Sequence, residues 1–182
     1  MRLEEFIKYL EGNFNNEEQF KKLKEQNIKY PFCEHKNTTC NNKIKNLPNN
    51  FNGIFMVEES YYTDGDTKRT SPHLFLFEEI DNKIKLTSYE IPNGYDKNTF
   101  TYNDLKEVDF NDLKESAKFT PALYTYENGT YKGGSVSMFS PVLKFTLYEE
   151  FTKDYLSVSE SMEVNGKRTF GYDDPIIYKR VK

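Results

Sequence analysis

The chain has 182 residues, which suffices for one domain with a hydrophobic core and hardly for two. Hydrophobic residues make up 36% of it and charged residues 30%, and 14 tyrosines and 15 phenylalanines supply apolar surface that disordered chains lack. The 25 basic and 29 acidic residues give a net charge of -4, the wrong sign for a protein that binds phosphate backbones. These values predict a single folded domain over residues 1–182 and argue against nucleic acid as a partner.

The sequence contains no apolar stretch of the roughly 18 residues that a spanning helix needs. Glu4, Glu5 and Lys8 lie where a signal peptide has its apolar core, so we expect a cytoplasmic protein with no membrane partner. Cys33 and Cys40 flank a histidine but lack the paired spacing of zinc ligands, and they are too few for a disulfide scaffold. We therefore expect two reduced cysteines and no metal site.

The first thirty residues carry apolar side chains at helical spacing in two stretches, separated by a break at residues 12–15. These side chains are Leu3, Phe6, Ile7 and Leu10, then Phe20, Leu23 and Ile28. Asn16 followed by Gln19 fits a capping box at the start of the second stretch. The pattern predicts a helical hairpin over residues 1–30, packed on the end or outer wall of the remaining domain.

Residues 31–52 lose all periodicity and predict a loop or an irregular edge segment. After them, short aromatic or β-branched runs alternate with turn signals such as Asn128-Gly129 and Asn165-Gly166. The predicted strands are 53–62, 73–79, 83–91, 122–126, 130–138, 142–149, 155–164 and 176–181. A short helical insert is predicted near residues 103–118.

About eight consecutive strands must hide their edges, and an antiparallel barrel does so completely. The sequence therefore predicts a mainly β protein with minor α, a calyx-like, lipocalin-like barrel over residues 53–182 that follows the helical hairpin. The interior of such a barrel has room for about one small ligand.

Several motifs in this order resemble those of the CpcT/CpeT chromophore lyases. The motifs are the opening Phe6, Leu10, Gly12, Phe14, Asn16 and Gln19, the strand Gly53–Ser60, Ser71–Phe77, Ser88–Pro92, Tyr131–Ser135, the hairpin Asn165–Gly171 and the closing Tyr178–Arg180. The resemblance implies the barrel fold and an enzyme that binds a linear tetrapyrrole, or phycobilin, and attaches it to a cysteine of a phycobiliprotein subunit. It also implies a homodimer and no cofactor other than the bilin, which would be the substrate.

The chain departs from the pattern of that family at chemically important positions. Ser159 and Glu160 replace an aspartate-arginine pair, the two mid-chain cysteines of the family have no counterparts, and tryptophan is absent. Two further hypotheses therefore stay open. One is a non-enzymatic calyx that binds another hydrophobic small molecule, and the other is an interaction domain with a filled barrel.

A site for a linear tetrapyrrole needs aromatic walls, an inward acid for the pyrrole nitrogens and cations at the mouth for the propionates. Strand alternation allows either Glu58 or Glu59 to point inward, and the resemblance selects Glu58 as the catalytic acid. The residues predicted to bind the ligand are Tyr62, Arg69, His73, Phe75 and Tyr89.

Overall fold

The computed structural model describes residues 2–181, so the predicted domain limits at residues 1 and 182 lie outside the described part. The two helices are α1 (Arg2–Leu10) and α2 (Glu17–Glu25). The strands are β1 (Gly12–Asn15), β2 (Phe32–Thr39), β3 (Ile44–Lys45), β4 (Ile54–Asp64), β5 (Thr67–Ile80), β6 (Lys83–Tyr89), β7 (Val108–Asp109), β8 (Ala122–Glu127), β9 (Thr130–Ser140), β10 (Leu143–Phe151), β11 (Leu156–Val164), β12 (Lys167–Gly171) and β13 (Ile176–Arg180).

Ten of these strands close into an antiparallel barrel, which confirms the predicted fold class. The order around the barrel is β1, β2, β4, β5, β6, β8, β9, β10, β11 and β13, and β13 pairs with β1 to complete the ring. All eight predicted strands are present among them. The number of strands exceeds the predicted eight because β1 and β2 belong to the wall as well.

The hairpin turns follow the turn signals of the sequence. Asn128 and Gly129, and likewise Asn165 and Gly166, all have positive φ, as a two-residue turn between twisted strands requires. The second of these turns connects β11 to β12, which pairs with the far half of β11 and lies outside the ring of ten. β12 therefore extends the wall on one side of the barrel.

The two helices predicted within residues 1–30 are confirmed, but they are not joined directly, because the break between them is a barrel strand. Phe14 in β1 lies opposite His35 of β2 on one side and Arg180 of β13 on the other. At Gly12 φ is +130°, a value that side chains other than glycine rarely adopt, and here the chain turns from α1 into the strand. Backbone pairing on both sides of β1 outweighs the helical tendency of its flanks.

The predicted capping box is also wrong. The Asn16 side chain is fully buried and bridges to the start of β2, where its Oδ1 accepts from Cys33 N at 2.8 Å and its Nδ2 donates to Pro31 O at 3.0 Å. Gln19 reaches β13 instead, with Nε2 2.8 Å from Pro175 O and Oε1 2.9 Å from Ile177 N. These two amides connect α2 to the wall of the barrel.

Residues 32–39, which the sequence predicts as irregular, form β2 and pair over their whole length with β4. The inward side chains of β2 are Cys33, His35 and Asn37, and these polar or small residues hide the usual apolar alternation. The insert at residues 103–118 contains one 3-10 turn, Phe110–Asp112, beside the two-residue strand β7.

Helix α1 plugs one end of the barrel. Its Phe6 is completely buried and packs against the rings of Phe77, Tyr124, Tyr131 and Phe151, with ring centroids 4.9 to 5.4 Å apart. Burial of one such side chain contributes about 2–3 kcal/mol. Helix α2 buries none of its side chains fully and lies on the outer wall, where Phe20 contacts Phe32.

A second hydrophobic core lies outside the barrel. Phe55 and Val57 of β4 point outward, and the long connection after β6 covers them with Phe100 and Leu105. One wall of the barrel is therefore apolar on both faces, and the alternation along β4 separates an inner from an outer set of side chains.

Asn16→Ala should lower the free energy of unfolding by about 2–4 kcal/mol, because it leaves the Cys33 N–H without this partner and the buried Pro31 carbonyl with only the weak Cys33 thiol donor. A simple N-cap would cost about 1 kcal/mol. Urea unfolding followed by circular dichroism measures the difference, and Asn13→Ala is the matched control, since Asn13 is exposed on the neighbouring strand. A loss no larger than that of the control would contradict the bridging role.

Candidate functional site

The end of the barrel opposite α1 opens into a cavity of about 450 Å³. A smaller chamber of about 50 Å³ lies deeper, above the aromatic plug. Both chambers share four lining residues, His73, Phe119, Phe145 and Glu160, so they form one continuous path from the mouth inward. The inner half of the barrel is filled with side chains, and the outer half is open.

Strand alternation places three carboxyl groups in the inner chamber: Glu58 on β4, Glu149 on β10 and Glu160 on β11. On each strand, the glutamate lies on the same face as the inward apolar side chains. Glu149 falls between Leu147 and Phe151, which also line the chamber, and this position forces its carboxyl inward. Strand alternation directs the carboxyl groups of Glu58 and Glu160 inward in the same way.

Glu58 points into the barrel, as the sequence analysis expects. Its Oε2 lies 3.7 Å from Nδ1 of His35, and its Oε1 accepts from Ser60 Oγ at 3.1 Å. Burial raises the pKa of Glu58, and burial lowers the pKa of His35 to about 3. The imidazole is therefore neutral at pH 7, and its buried Nε2 has no hydrogen-bond partner among the described residues.

Glu149 and Glu160 titrate close to neutral pH. Burial raises the pKa of Glu149 to about 8, against the opposing effect of the hydrogen bond from the Tyr124 hydroxyl. Burial and the negative charge of Glu58 raise the pKa of Glu160 to about 7. Both groups can therefore hold or release a proton at physiological pH, which general acid chemistry requires.

His73 and Phe75 lie on the inner face of β5, as expected. Their rings stack with centroids 5.2 Å apart, and His73 Nε2 lies 3.0 Å from Ser71 Oγ. Burial lowers the pKa of His73, so this imidazole is also mainly uncharged at neutral pH.

Six phenylalanine and tyrosine side chains form a large part of the lining of the mouth. Tyr62, predicted as a ligand contact, lies here, and so does Arg69, which is exposed at the rim. Phe139 and Phe145 face them from β9 and β10, and β12 contributes Phe170. The structure therefore brings together five of the six predicted residues, Glu58, Tyr62, Arg69, His73 and Phe75, along one path.

Tyr89 does not lie on this path. It pairs in register with Leu74 on the outer face of the sheet, and its ring contacts Phe55 of the outer core at 5.2 Å. The neighbouring Ser88 is the residue of β6 that lines the cavity. The prediction is wrong although the alternation of β6 is clear. Tyr89 shares the outer face with Lys83 and Lys85, whereas Ile84 and Leu86 point inward.

Sequence reasoning missed Glu149, Glu160 and His35 as residues of the cavity. For the two glutamates a signal exists: each interrupts an alternating apolar run, in β10 after Phe145 and Leu147 and in β11 before Met162. His35 gives no such signal, because the inward residues beside it are polar or small.

The two cysteines are free, and they belong to different cores. Cys33 lies in the barrel interior and Cys40 in the outer core, and burial raises the pKa of each thiol to about 12. Neither is a nucleophile at neutral pH. Within residues 2–181, no three His, Cys, Asp or Glu side chains are grouped so as to hold a metal ion.

Glu160→Gln should stabilise the protein at pH 8 and leave it unchanged at pH 4. The carboxyl has an ordinary pKa of 4.5 in the unfolded chain and about 7 in the fold. Between these values only the unfolded chain loses the proton, so the stability of the wild type falls as pH rises from about 4.5 through 7. The variant lacks this loss and should be more stable by about 1–3 kcal/mol at pH 8.

Denaturant unfolding at pH 4 and pH 8 measures this difference. Glu163→Gln is the control, since Glu163 lies three residues further on the same strand, faces outward and pairs with Lys144. Equal stability of Glu160→Gln and the wild type at pH 8 would contradict the buried, proton-binding carboxyl.

Comparisons with known proteins add no family assignment. A scan against protein-family models and a search of curated proteins both find no match to this chain. The CpcT/CpeT resemblance therefore stays a prediction from the sequence motifs.

Proposed function

We propose that the barrel binds one flat, apolar small molecule through its open end, and that this ligand is a linear tetrapyrrole. The observation that supports this best is the aromatic mouth cavity of about 450 Å³, which leads to buried carboxyl groups. Pockets of this size and lining are typical of small-molecule sites.

The chemistry of a linear tetrapyrrole suits this lining. Its conjugated rings would pack against Tyr62 and Phe145, while its pyrrole N–H groups would donate to Glu58 or Glu160 deeper in the barrel. Its propionates would stay at the rim near Arg69, where solvent also reaches them. The path therefore offers aromatic side chains for the rings, carboxyl groups for the pyrrole N–H groups and an arginine for the propionates.

We propose further that the protein assists attachment of the bound bilin to a cysteine of a partner phycobiliprotein subunit. The sulfur of the partner's thiol bonds to the ethylidene carbon, the carbon-carbon π bond breaks, and the adjacent carbon gains a proton. The thiol loses its own proton, so the net reaction adds S–H across the double bond. Glu58 would supply the proton to the carbon, and the barrel would orient the bilin.

The acceptor thiol would come from the partner, because the thiols of this chain are buried and have raised pKa values. Free thiols fit a reducing compartment, so we propose the cytoplasm as the location. Neither α1 nor α2, of nine residues each, has the length and apolar character of a membrane-crossing helix. The homodimer that the resemblance implies stays a prediction, which sedimentation would test.

A carrier for another hydrophobic molecule is the second candidate, and Glu160 favours it. This residue stands where the resembled family carries an arginine, and it lies at the junction of the two chambers. Replacing a cation by an acid at this place changes which charged groups a ligand can present to the barrel.

Phycocyanobilin mixed with the protein should show a shifted and sharpened visible absorption band, because a cavity holds the flexible pigment in one geometry. Glu58→Gln should weaken binding by about 1–3 kcal/mol, through loss of a charge-assisted hydrogen bond. Arg69→Ala should weaken it by about 1 kcal/mol, since the rim is open to water. Absorption titration measures each affinity.

Tyr89→Phe is the control for this titration, because Tyr89 lies on the outer face of the wall. It should bind as the wild type does. Equal affinity in all four proteins would show that the bilin site lies elsewhere, and a folded protein without any spectral change would reject the tetrapyrrole.

Attachment should occur when the bilin-loaded protein is mixed with an apo-phycobiliprotein subunit, and mass spectrometry of that subunit detects the adduct. The Cys33→Ser, Cys40→Ser double variant should attach bilin at the wild-type rate, provided circular dichroism shows it folded. Glu58→Gln should slow attachment at saturating bilin by at least about tenfold, within the range for general acid catalysis. Binding without attachment in the wild type would leave the carrier as the function.

A further inference from the structure

The inner chamber holds three carboxyl groups among mainly apolar side chains. Its charged or titratable groups are Glu58, Glu149, Glu160, His35 and His73, and neither lysine nor arginine is among the described residues that line it. The nearest cation on the path is Arg69, which lies at the outer rim together with Asp64. Any ligand end that reaches the chamber therefore meets carboxyl groups.

The chamber also offers hydrogen-bond acceptors that no protein group occupies. The Glu160 carboxylate accepts no hydrogen bond and forms no ion pair within residues 2–181, unlike Glu149, which has Tyr124 as its donor. The imidazole of His35 is only 6% exposed, and its Nε2 is itself buried and has no hydrogen-bond partner among residues 2–181. With the imidazole proton on Nδ1, next to Glu58, Nε2 is an acceptor.

We infer that the inner chamber binds the positively charged nitrogen group of an amphiphilic ligand, a primary ammonium or a similar organic cation, whose apolar part fills the aromatic mouth. This inference rests on the proposed small-molecule binding and specifies the ligand class of the second candidate function, the carrier for a hydrophobic molecule other than a tetrapyrrole. An ammonium group supplies N–H donors, which match the carboxylate oxygens of Glu160 and Glu58 in type. A chamber of about 50 Å³ has room for such a group, since a single water needs about 10–15 Å³ by this measure.

The electrostatics favour a cation over an anion of equal size. Burial is the main reason why the pKa values of Glu149 and Glu160 are raised, to about 8 and about 7, and repulsion from the Glu58 carboxylate adds to both in the empty barrel. A bound cation relieves this repulsion and draws protons off the acids, while a bound carboxylate adds a further negative charge. The two histidines stay uncharged, because burial lowers the pKa of both, so they do not offset the acids.

Competition between matched amphiphiles tests the inference. The neutral fluorophore N-phenyl-1-naphthylamine serves as the reporter, and dodecylammonium, dodecanol and dodecanoate compete with it at pH 8, below their micelle-forming concentrations. Dodecylammonium should displace the reporter at a concentration about tenfold or more below that for dodecanoate, the ratio expected for one buried charge-assisted contact. Dodecanol should lie between them.

Glu160→Gln should reduce this ratio to about threefold or less, and Glu58→Gln provides the same test if the first variant fails to fold. Glu163→Gln is the matched control on the outer face of β11 and should keep the full ratio. Reporter binding with equal displacement by cation and anion, or with stronger displacement by dodecanoate, would overturn the inference and leave the binding function intact. A folded protein that binds neither reporter nor amphiphile would overturn both.

Discussion

The pairing of β1 with β2 and β13 is the constraint on which the rest of the structure depends. Four residues, Gly12–Asn15, fill the gap between the two neighbouring strands and convert an open sheet into a closed wall. Closure removes both free edges and defines an inside that water enters from one end only. The position of α1 follows from it, because the helix precedes β1 directly and is carried onto the barrel end.

Closure also explains the unusual acidity of the interior. A closed sheet forces every second side chain inward, whatever its chemistry, so Glu58, Glu149 and Glu160 have no alternative orientation without a slip of register. Carboxyl groups in such a place reduce stability, and a fold under selection for stability alone would carry apolar residues there. Residues that work against stability in this way commonly mark a functional site.

The sequence predicts the repeating part of this fold well, because each of the eight strands combines an aromatic or β-branched run with a turn signal at its end. It fails for β1, whose partner β13 lies far along the chain, and for β2, whose polar or small inward residues hide the apolar alternation. Asn16 and Gln19 show the same limit: their spacing matches a local cap, while their actual partners are Cys33 and Ile177. Local patterns cannot reveal such long-range contacts.

For the site, alternation put His73 and Phe75 on one face of their strand and left Glu58 and Glu59 as alternatives for the inward acid. The family resemblance selected Glu58, and Glu58 does point inward. The prediction for Tyr89 is wrong because it followed the aromatic ring and not the alternation: Tyr89 shares a strand face with Lys83 and Lys85 and packs on the outer core. Glu160 could have been predicted as a cavity residue, because the sequence shows an acid on the apolar face of a strand, and that face points into the barrel.

The contact between Arg180 and α1 has a consequence for how the chain folds. The guanidinium donates to the carbonyl oxygens of Lys8, Tyr9 and Glu11, so the final turn of α1 is capped by a residue of β13. More than 150 residues separate these partners along the chain. On the ribosome, α1 and β1 emerge long before β13, and until then the helix lacks its cap and β1 lacks one neighbour. Contacts of such large sequence separation slow folding, so we expect closure of the ring to be a late event.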